Sequence, residues 1–500
     1  MSSSTSSTIP GLNSGHDGAL AEPKVESSSS EGDGGDVIDW EGDQDPECPY
    51  NWPRRKIVTN STILSILTFL IPLSSSIIAP GVPELMVEFH NTSQILAAFV
   101  VSVFVIGLAV GPLLLSPLSE IYGRLIIYHV AMVGFVAFTI ACALAPSLES
   151  LIVFRLLQGA LGSCFVTNAG ASIADMVPSH RRGTYLAAVS AGTLLGPIIG
   201  PVIAGFLNDA RGWRWIFWLV TIVGGAAGLA MLALGRETYH PLILQRKVDR
   251  LRKLTGNPKL RHRLDDGLTP AARLRRGIVR PVRLFWTPIG IVCALYMTVV
   301  YGYLYLMFSS VTTVFQDQYN IRGKLSGLVF LGLGIGNLIG MVLTSVTTDR
   351  AIKNRIANGA AGPEAVPPEV RLTLTPYGSV LLPAGLFIYG WTAQYKVHWI
   401  IPIIGMAVMG VGNMIIFLSI SLYLIDCYGI YSASALAANT VVRSIGGGVL
   451  PLAGLRMFSA LGIGWGTSLL GFIAVAMIPI PVLILRYGER LRRRQDMTNL

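Results

Sequence analysis

The sequence predicts an all-α membrane protein, with twelve transmembrane helices in two pseudo-symmetric six-helix bundles. Three observations predict it. Hydrophobic residues make up 52% of the 500-residue chain and charged residues only 13%, and the mean hydropathy is +0.58; soluble domains carry about twice that share of charge. Long apolar runs recur, most of them near the roughly 20 residues that cross a hydrocarbon core. They are continuous rather than alternating, which selects helices over a barrel. A basic break at residues 235–287 divides the runs six and six. This composition excludes a disordered chain, a nucleic-acid-binding domain and an ordinary soluble enzyme.

Residues 1–56 are expected to form a disordered N-terminal tail, since Ser, Gly, Asp and Glu dominate up to residue 46. No basic n-region precedes an apolar h-region, so the first transmembrane helix must direct insertion. The N-terminal bundle, 57–234, has spans near 57–79, 94–117, 126–145, 150–171, 184–207 and 214–234. The linker 235–287 is dense in Arg and Lys, and reads as a solvated loop with a part-amphipathic helix on anionic lipid. The C-terminal bundle, 288–485, has spans near 288–314, 325–346, 376–393, 399–425, 432–454 and 466–485, and 486–500 form a C-terminal tail.

Charge orients the chain. The 38 Lys and Arg exceed the 28 Asp and Glu by 10. With the N-terminus in the cytoplasm, roughly 30 of the basic residues fall inside and about 6 outside, a strong positive-inside bias. The net charge therefore reflects topology, and no nucleic-acid partner is expected. The five cysteines, mostly inside apolar runs, make neither a disulfide framework nor a metal-ligand spacing. No metal and no cofactor are expected.

The turn between spans two and three reads Gly111-Pro-Leu-Leu-Leu-Ser-Pro-Leu-Ser-Glu120-Ile-Tyr-Gly123-Arg124. Gly123 permits a tight turn, and Glu120 and Arg124 flank it. This is either a charged latch acting on a neighbouring helix end or a plain interfacial turn. Gly107 and Gly111 are matched by Gly336 and Gly340, and an acid stands nine residues beyond each pair, Glu120 and Asp349. An internal repeat explains the match. Asp175 joins these as a cytoplasmic gate candidate.

Span five carries Gly192, Gly196, Pro197, Gly200 and Pro201. Glycines four apart make a smooth face, and the prolines remove backbone donors. The expectation is a hinge, with ordinary tight packing as the alternative. Gly446-Gly447-Gly448 and Pro451 echo the pattern in span eleven.

Buried charge is the most informative signal. Only two arginines lie well inside a span, Arg155 in the fourth and Arg443 in the eleventh. A charge at that depth faces a cavity or a partner; the alternative is an arginine satisfied by carbonyls at a helix bend. Gln158 lies one turn from Arg155, and Asn439 shares the face of Arg443. No Asp or Glu lies deep in a span, which tilts the cavity toward neutral or anionic cargo. A proton relay could instead use His129, His398 or a carboxylate at a helix end. Tyr296 and Tyr303, seven apart in span seven, offer an apolar body with a polar tip, and Asn413 and Asn337 offer amides. Each is a substrate candidate or a packing residue. The sequon at Asn91 lies very near span two, so glycosylation is not expected.

These motifs resemble the major facilitator superfamily, specifically the fungal multidrug and polyamine branch of its twelve-span drug:proton antiporters. The resemblance covers residues 39–495 and rests on Asp45-Pro46-Glu-Cys48-Pro49-Tyr-Asn51-Trp52 before span one, on 111–124, on Arg155-Leu-Leu-Gln158-Gly159 and on 192–205. Trp213-Arg214-Trp215-Ile-Phe217-Trp218, Glu237-Thr238-Tyr239 and Arg280-Pro281 extend it. Cys48 stands where the branch usually has Asn, and the loop between spans eight and nine departs from the family pattern. The resemblance implies the major facilitator fold, a role for Arg155 in proton coupling, and alternating access around a midplane cavity. The expected activity is proton-driven export of a small organic compound, a neutral or anionic metabolite such as an organic acid. The alternatives are a broad drug or polyamine antiporter, a nutrient importer or facilitator, and a non-transporting sensor, which would carry a long signalling tail. Expected partners are the substrate, protons and the bilayer, for a monomer in the plasma membrane with both termini cytoplasmic; the vacuolar membrane is the alternative. No nucleophile–base pair or phosphate loop suggests an enzyme.

Overall fold

The computed structural model describes residues 37–41, 45–265, 267–357 and 367–493, so tail residues 1–36 and 494–500 lie outside the described residues. Eleven segments are long and apolar enough to cross a membrane, and the last of them, Ser432–Arg492, has 61 residues. At 1.5 Å per residue it would run about 90 Å, three times a hydrocarbon core of roughly 30 Å. Its backbone breaks at Gly462, where φ is 80° and ψ is 162°, a conformation that suits glycine alone. The Gln394 side chain then accepts from the amides of Ile463 and Gly464, at 2.8 and 3.2 Å, capping the helix that restarts there. The segment is two spans, and the described residues make twelve.

The spans are α1 (Arg54–Ser76), α2 (Gln94–Tyr122), α3 (Arg124–Ala143), α4 (Leu148–Met176), α5 (Ser179–Arg211), α6 (Arg214–Leu234), α7 (Pro288–Tyr319), α8 (Leu331–Ala357), α9 (Thr375–Gln394), α10 (Ile400–Tyr428), α11 (432–461) and α12 (463–477, continued by Pro479–Arg493). Several run past the expected ends. Hydropathy marks the hydrocarbon edge, whereas α2, α4 and α5 keep winding through their polar interfacial turns. Six crossings precede the linker and six follow it, so the linker and both ends of the described chain share one face, the linker face.

Lipid gives apolar helices no hydrophobic reason to pair, so close packing must hold them. The glycines do this twice over. A Cβ on Gly107 or Gly111 of α2 would strike the α4 backbone at Leu156 or Ala160, and one on Gly336 or Gly340 of α8 would strike α10 at Ala407 or Val411. Likewise Gly196 and Gly200 of α5 lie against the α1 carbonyls of Phe69 and Leu73, and Gly446 of α11 lies against Thr298 of α7. Pairs α1–α5 and α2–α4 in one half thus correspond to α7–α11 and α8–α10 in the other. Trp391 and Ser468, with their indole N–H and hydroxyl 3.0 Å apart, join α9 to α12.

The expected disordered tail does not extend to residue 56. Val37–Ile38 pairs in parallel with Arg261–His262 of the linker. Asp45 accepts from Lys247 at 3.1 Å, and Glu47 and Asp39 meet Arg250 and Arg263. The Trp40 and Tyr50 rings flank His240 at 5.6 and 4.7 Å. The acids that made the segment look disordered are the partners of the linker's basic residues. The linker is two amphipathic helices, His240–Thr255 and Pro270–Phe285. The second spans the seam between the halves, with Gly277 against Pro117 of α2 and Arg280 5.2 Å from the Tyr431 ring beside α11.

Candidate transport cavity

A cavity of about 940 Å³, counting its open part, lies between the halves. One half contributes Pro72, Leu108, Pro112, Ser163, Val166, Thr167, Thr193, Pro197 and Ile198. The other contributes Tyr301, Leu304, Tyr305 and Phe308 of α7, Asn337, Leu338 and Met341 of α8, Asn413, Met414 and Phe417 of α10, and Thr440, Arg443 and Ser444 of α11.

Among the described residues of this lining, Arg443 is the one that carries a charge. Its guanidinium carbon lies 4.5 Å from the Tyr301 ring centre and 4.9 Å from that of Phe417. One nitrogen donates to Thr440 Oγ1 at a long 3.4 Å. Two π faces stabilise the cation while its hydrogen-bonding edge stays available to the cavity. Asn413 donates to Asn337 at 3.4 Å and keeps a buried Oδ1 without a partner, as does the Ser444 hydroxyl. The site can therefore pair one anionic group, accept and donate a few hydrogen bonds, and cover an apolar body.

Arg155 is elsewhere. It is fully buried and donates from Nε to the Val100 carbonyl at 2.7 Å and from Nη2 to Ser75 at 3.1 Å, with Ser74 at 3.4 Å. α1 ends at Ser76, so those last carbonyls have no intrahelical donor. Arg155 supplies it, and its charge meets the negative end of the α1 dipole. Of the two readings open to it, this is the arginine satisfied by carbonyls. Gln158 beside it donates to Thr139 at 2.7 Å.

Tyr296 and Tyr303 also turn away from the cavity. The Tyr296 hydroxyl is 2.6 Å from Ser379 of α9, and Tyr303 donates to the Leu470 carbonyl of α12 at 2.8 Å. At 3.6 residues per turn the opposite stripe of α7 faces inward, and it presents Tyr301 and Tyr305. Asn439 is buried with its Oδ1 unpartnered, but it borders a separate, much smaller recess behind Leu284 and Tyr428.

In α5 the prolines act through the carbonyls they free. Pro201 has no N–H to offer the Pro197 carbonyl four residues back, and Ser76 donates to that carbonyl instead, at 3.1 Å. Gly192 packs on Ser65 and Phe69 of α1. The glycine stripe is thus filled by α1, and Pro197 and Ile198 are the α5 residues that reach the cavity with Thr193. Further along α5, Gly205 touches Gly327, and Pro201 lies beside it. Here the halves meet on the face opposite the linker.

On the linker face, Gly123, Arg124 and Asp175 come together. Arg124 lies 3.4 Å from Asp175 and donates to Ser119 at 2.7 Å. Glu120, the other gate candidate beside this turn, is exposed, and the helix end is held instead by Glu237. Its carboxylate accepts from the backbone of Arg124 and Leu125 at 3.0 and 3.1 Å, capping the free amides that open α3. A side chain on Gly123, whose φ is 97°, would displace that carboxylate. His240 donates to the Asp175 carbonyl at 2.7 Å. Asp349 is exposed on α8. The second half nonetheless repeats the ion pair with other residues, since Arg371 donates to Asp426 at the end of α10 at 2.7 Å.

Comparison with known proteins agrees with this architecture. Residues 64–451 match the family model of the Major Facilitator Superfamily. The chain is 50% identical over 462 residues to the MFS-type transporter tndD of Aspergillus flavipes, covering 92% of this chain and 86% of that one. It is 46% identical over 492 residues to the efflux pump radE of Floropilus chiversii, covering 98% and 90%. Among solved structures, the xylose transporter XylE from E. coli, in a partially occluded inward open conformation, is similar with a TM-score of 0.64 at 16% identity, covering 87% of this chain and 98% of that one.

Proposed function

The chain belongs to the major facilitator superfamily, a family of multi-pass membrane transporters of small molecules rather than enzymes, and on that premise we propose that it exports a neutral or anionic organic metabolite in exchange for protons. The observation that carries the cargo class is Arg443, the one charge among the described residues lining the cavity, held on two aromatic rings with its donor edge free for an acid. A cationic drug or polyamine would meet a like charge there without a carboxylate to offset it. The relatives named as transporters and an efflux pump support outward transport.

In this reading the linker face is cytoplasmic, because it carries nearly all the loop Lys and Arg. The protein works as a monomer in the plasma membrane with both termini inside. Cargo enters between the halves, its acidic group pairs with Arg443, and Asn413 and Asn337 receive its polar substituents. The halves then rock about the cavity. Arg124, Asp175 and Glu237 bind the cytoplasmic ends of α3, α4 and the start of the linker into one unit, and Arg155 ties α1 to α4, so that the N-terminal half moves as one body. The test is transport by the purified full chain in liposomes with an imposed proton gradient, comparing an aromatic carboxylate with a quaternary ammonium dye. Gradient-dependent movement of the acid is expected, and movement of the dye alone would reverse the assignment.

A further inference from the structure

Tyr305 belongs to two structures at once. Its ring is part of the cavity wall, 5.0 Å from the Tyr301 ring on which Arg443 rests. Its hydroxyl is 2.9 Å from Ser75 Oγ, in the other half of the molecule. The Ser75 carbonyl in turn accepts from Arg155. The arginines inside the two halves are thus joined through Tyr301, Tyr305 and Ser75. Tyr305 and Ser75 are both buried; the Ser75 hydroxyl donates to the Pro72 carbonyl at 2.6 Å and so accepts from Tyr305, and separating the pair takes that acceptor from the Tyr305 hydroxyl.

The position of this bond matters. Ser75 is the penultimate residue of α1, on the face opposite the linker. Beyond it the halves touch at Gly205 and Gly327. Opening that face means parting α1 and α5 from α7 and the short helix Lys324–Leu328 before α8, which breaks the Tyr305–Ser75 bond along with the Gly205–Gly327 contact.

We propose that Tyr305 is the positioning residue that couples cargo on Arg443 to release of the opposite face. The inference rests on the reading that the cavity takes an acidic cargo. The acid draws the guanidinium off the Tyr301 ring, the Tyr301–Tyr305 pair repacks, and the hydroxyl leaves Ser75. Without cargo the bond keeps the halves shut, so protons do not leak through an empty carrier.

Thr312 provides the readout. It continues the Tyr301, Tyr305 and Phe308 stripe along α7 at helical spacing, is 3% exposed and has a hydroxyl without a partner. Thr312→Cys is therefore a mild change, and the five native cysteines are all buried. The full chain bearing it is reconstituted and treated with a membrane-impermeant maleimide from the face opposite the linker, with and without 2-naphthoate. Expected labelling is slow without the acid and several-fold faster with it, and Arg443→Ala abolishes the acceleration. Tyr305→Phe, which keeps the ring, labels fast without the acid and gains nothing from it. Ser75→Ala matches it, and the double variant is no faster than either. Labelling of Tyr305→Phe at the parent rate overturns the proposal. Fast labelling of Tyr305→Phe with no response of the parent to naphthoate overturns the coupling. The two readings fail separately: if naphthoate is transported but Tyr305→Phe changes nothing, the coupling alone is wrong. If naphthoate is neither transported nor sensed, the cargo class is wrong as well.

Discussion

The guanidinium of Arg443 rests 4.5 Å from the ring of Tyr301, and among the described residues no Asp or Glu lines the cavity with it. A cation in that position needs either a π surface or an anion. The resting protein supplies the first, and the proposed cargo supplies the second. Replacing Tyr301 by Leu removes one π face, worth about 0.5–2 kcal/mol. The expected result is a several-fold lower KM for an aromatic carboxylate, because the acid no longer competes with that ring, together with a reduced kcat, because the ring also packs on Tyr305. A raised KM at unchanged kcat would mean that Tyr301 still holds the arginine once cargo is bound.

Glu237→Gln keeps the shape of the α3 cap and removes its charge. Glu237 accepts from both Arg124 and Leu125 amides, and charge near a helix N-terminus contributes about 0.3–2 kcal/mol. A thermal midpoint lowered by a few degrees and slower turnover at unchanged cargo affinity are expected. Arg371→Ala, which breaks the partly exposed pair to Asp426, is expected to do less, since such pairs contribute about 0–1 kcal/mol. Equal effects of the two would contradict the asymmetry drawn here.

Arg155→Ala leaves the terminal carbonyls of α1 without a donor. A buried polar group left unpaired costs about 1–3 kcal/mol, so the detergent-solubilised protein is expected to melt earlier while its binding of an aromatic carboxylate persists. Loss of binding at unchanged stability would return Arg155 to the cargo site. Arg155→Lys should recover part of the stability, because one ammonium reaches fewer of those acceptors than a planar guanidinium.

The docking of residues 37–41 and 45–53 on the linker is expected to be insensitive to pH near neutrality. Burial pushes the Asp45 carboxyl up, but the amides of Glu41 and Glu47 and the Lys247 ammonium outweigh it and hold it below its ordinary value. Burial pushes Lys247 down, and its bonds to Glu41 and Asp45 hold it above. A depressed acid stabilises above its unfolded value and loses that contribution as pH falls through the lower folded one. A raised lysine stabilises below its unfolded value and loses its contribution as pH rises through the higher folded one. The segment should resist proteolysis between about pH 5 and pH 9 and be released below about pH 4. Release on passing from pH 8 to pH 6 would show that other groups govern it, and Lys247→Ala should free the segment at every pH.

The order of the twelve spans was legible because lipid admits few structures, and a continuous apolar run of the right length is a strong signal. The repeat was legible from Gly107, Gly111, Gly336 and Gly340, which the structure places at matching helix contacts. The cavity was legible only in part. Arg443 and Asn413 line it, but Arg155 and Arg443 look alike in sequence, and their difference lies in the free carbonyls of another helix. Of the two readings open to Tyr296 and Tyr303, their bonds to α9 and α12 select packing; hydropathy in an all-round apolar helix does not tell which face is inward. Glu237 lies 113 residues from Arg124, and no local pattern joins them. The acids before span one read as disorder because their basic partners are two hundred residues away.

Arg443→Ala is the most direct test of the central claim, measured as proton-driven efflux of an aromatic carboxylate and of a quaternary ammonium dye from cells expressing the full chain at equal surface levels. The account predicts that acid efflux falls at least tenfold, the loss expected for about 1.4 kcal/mol or more of charge pairing, while dye efflux is unchanged or rises. Equal loss of both, or unchanged acid efflux, would contradict it.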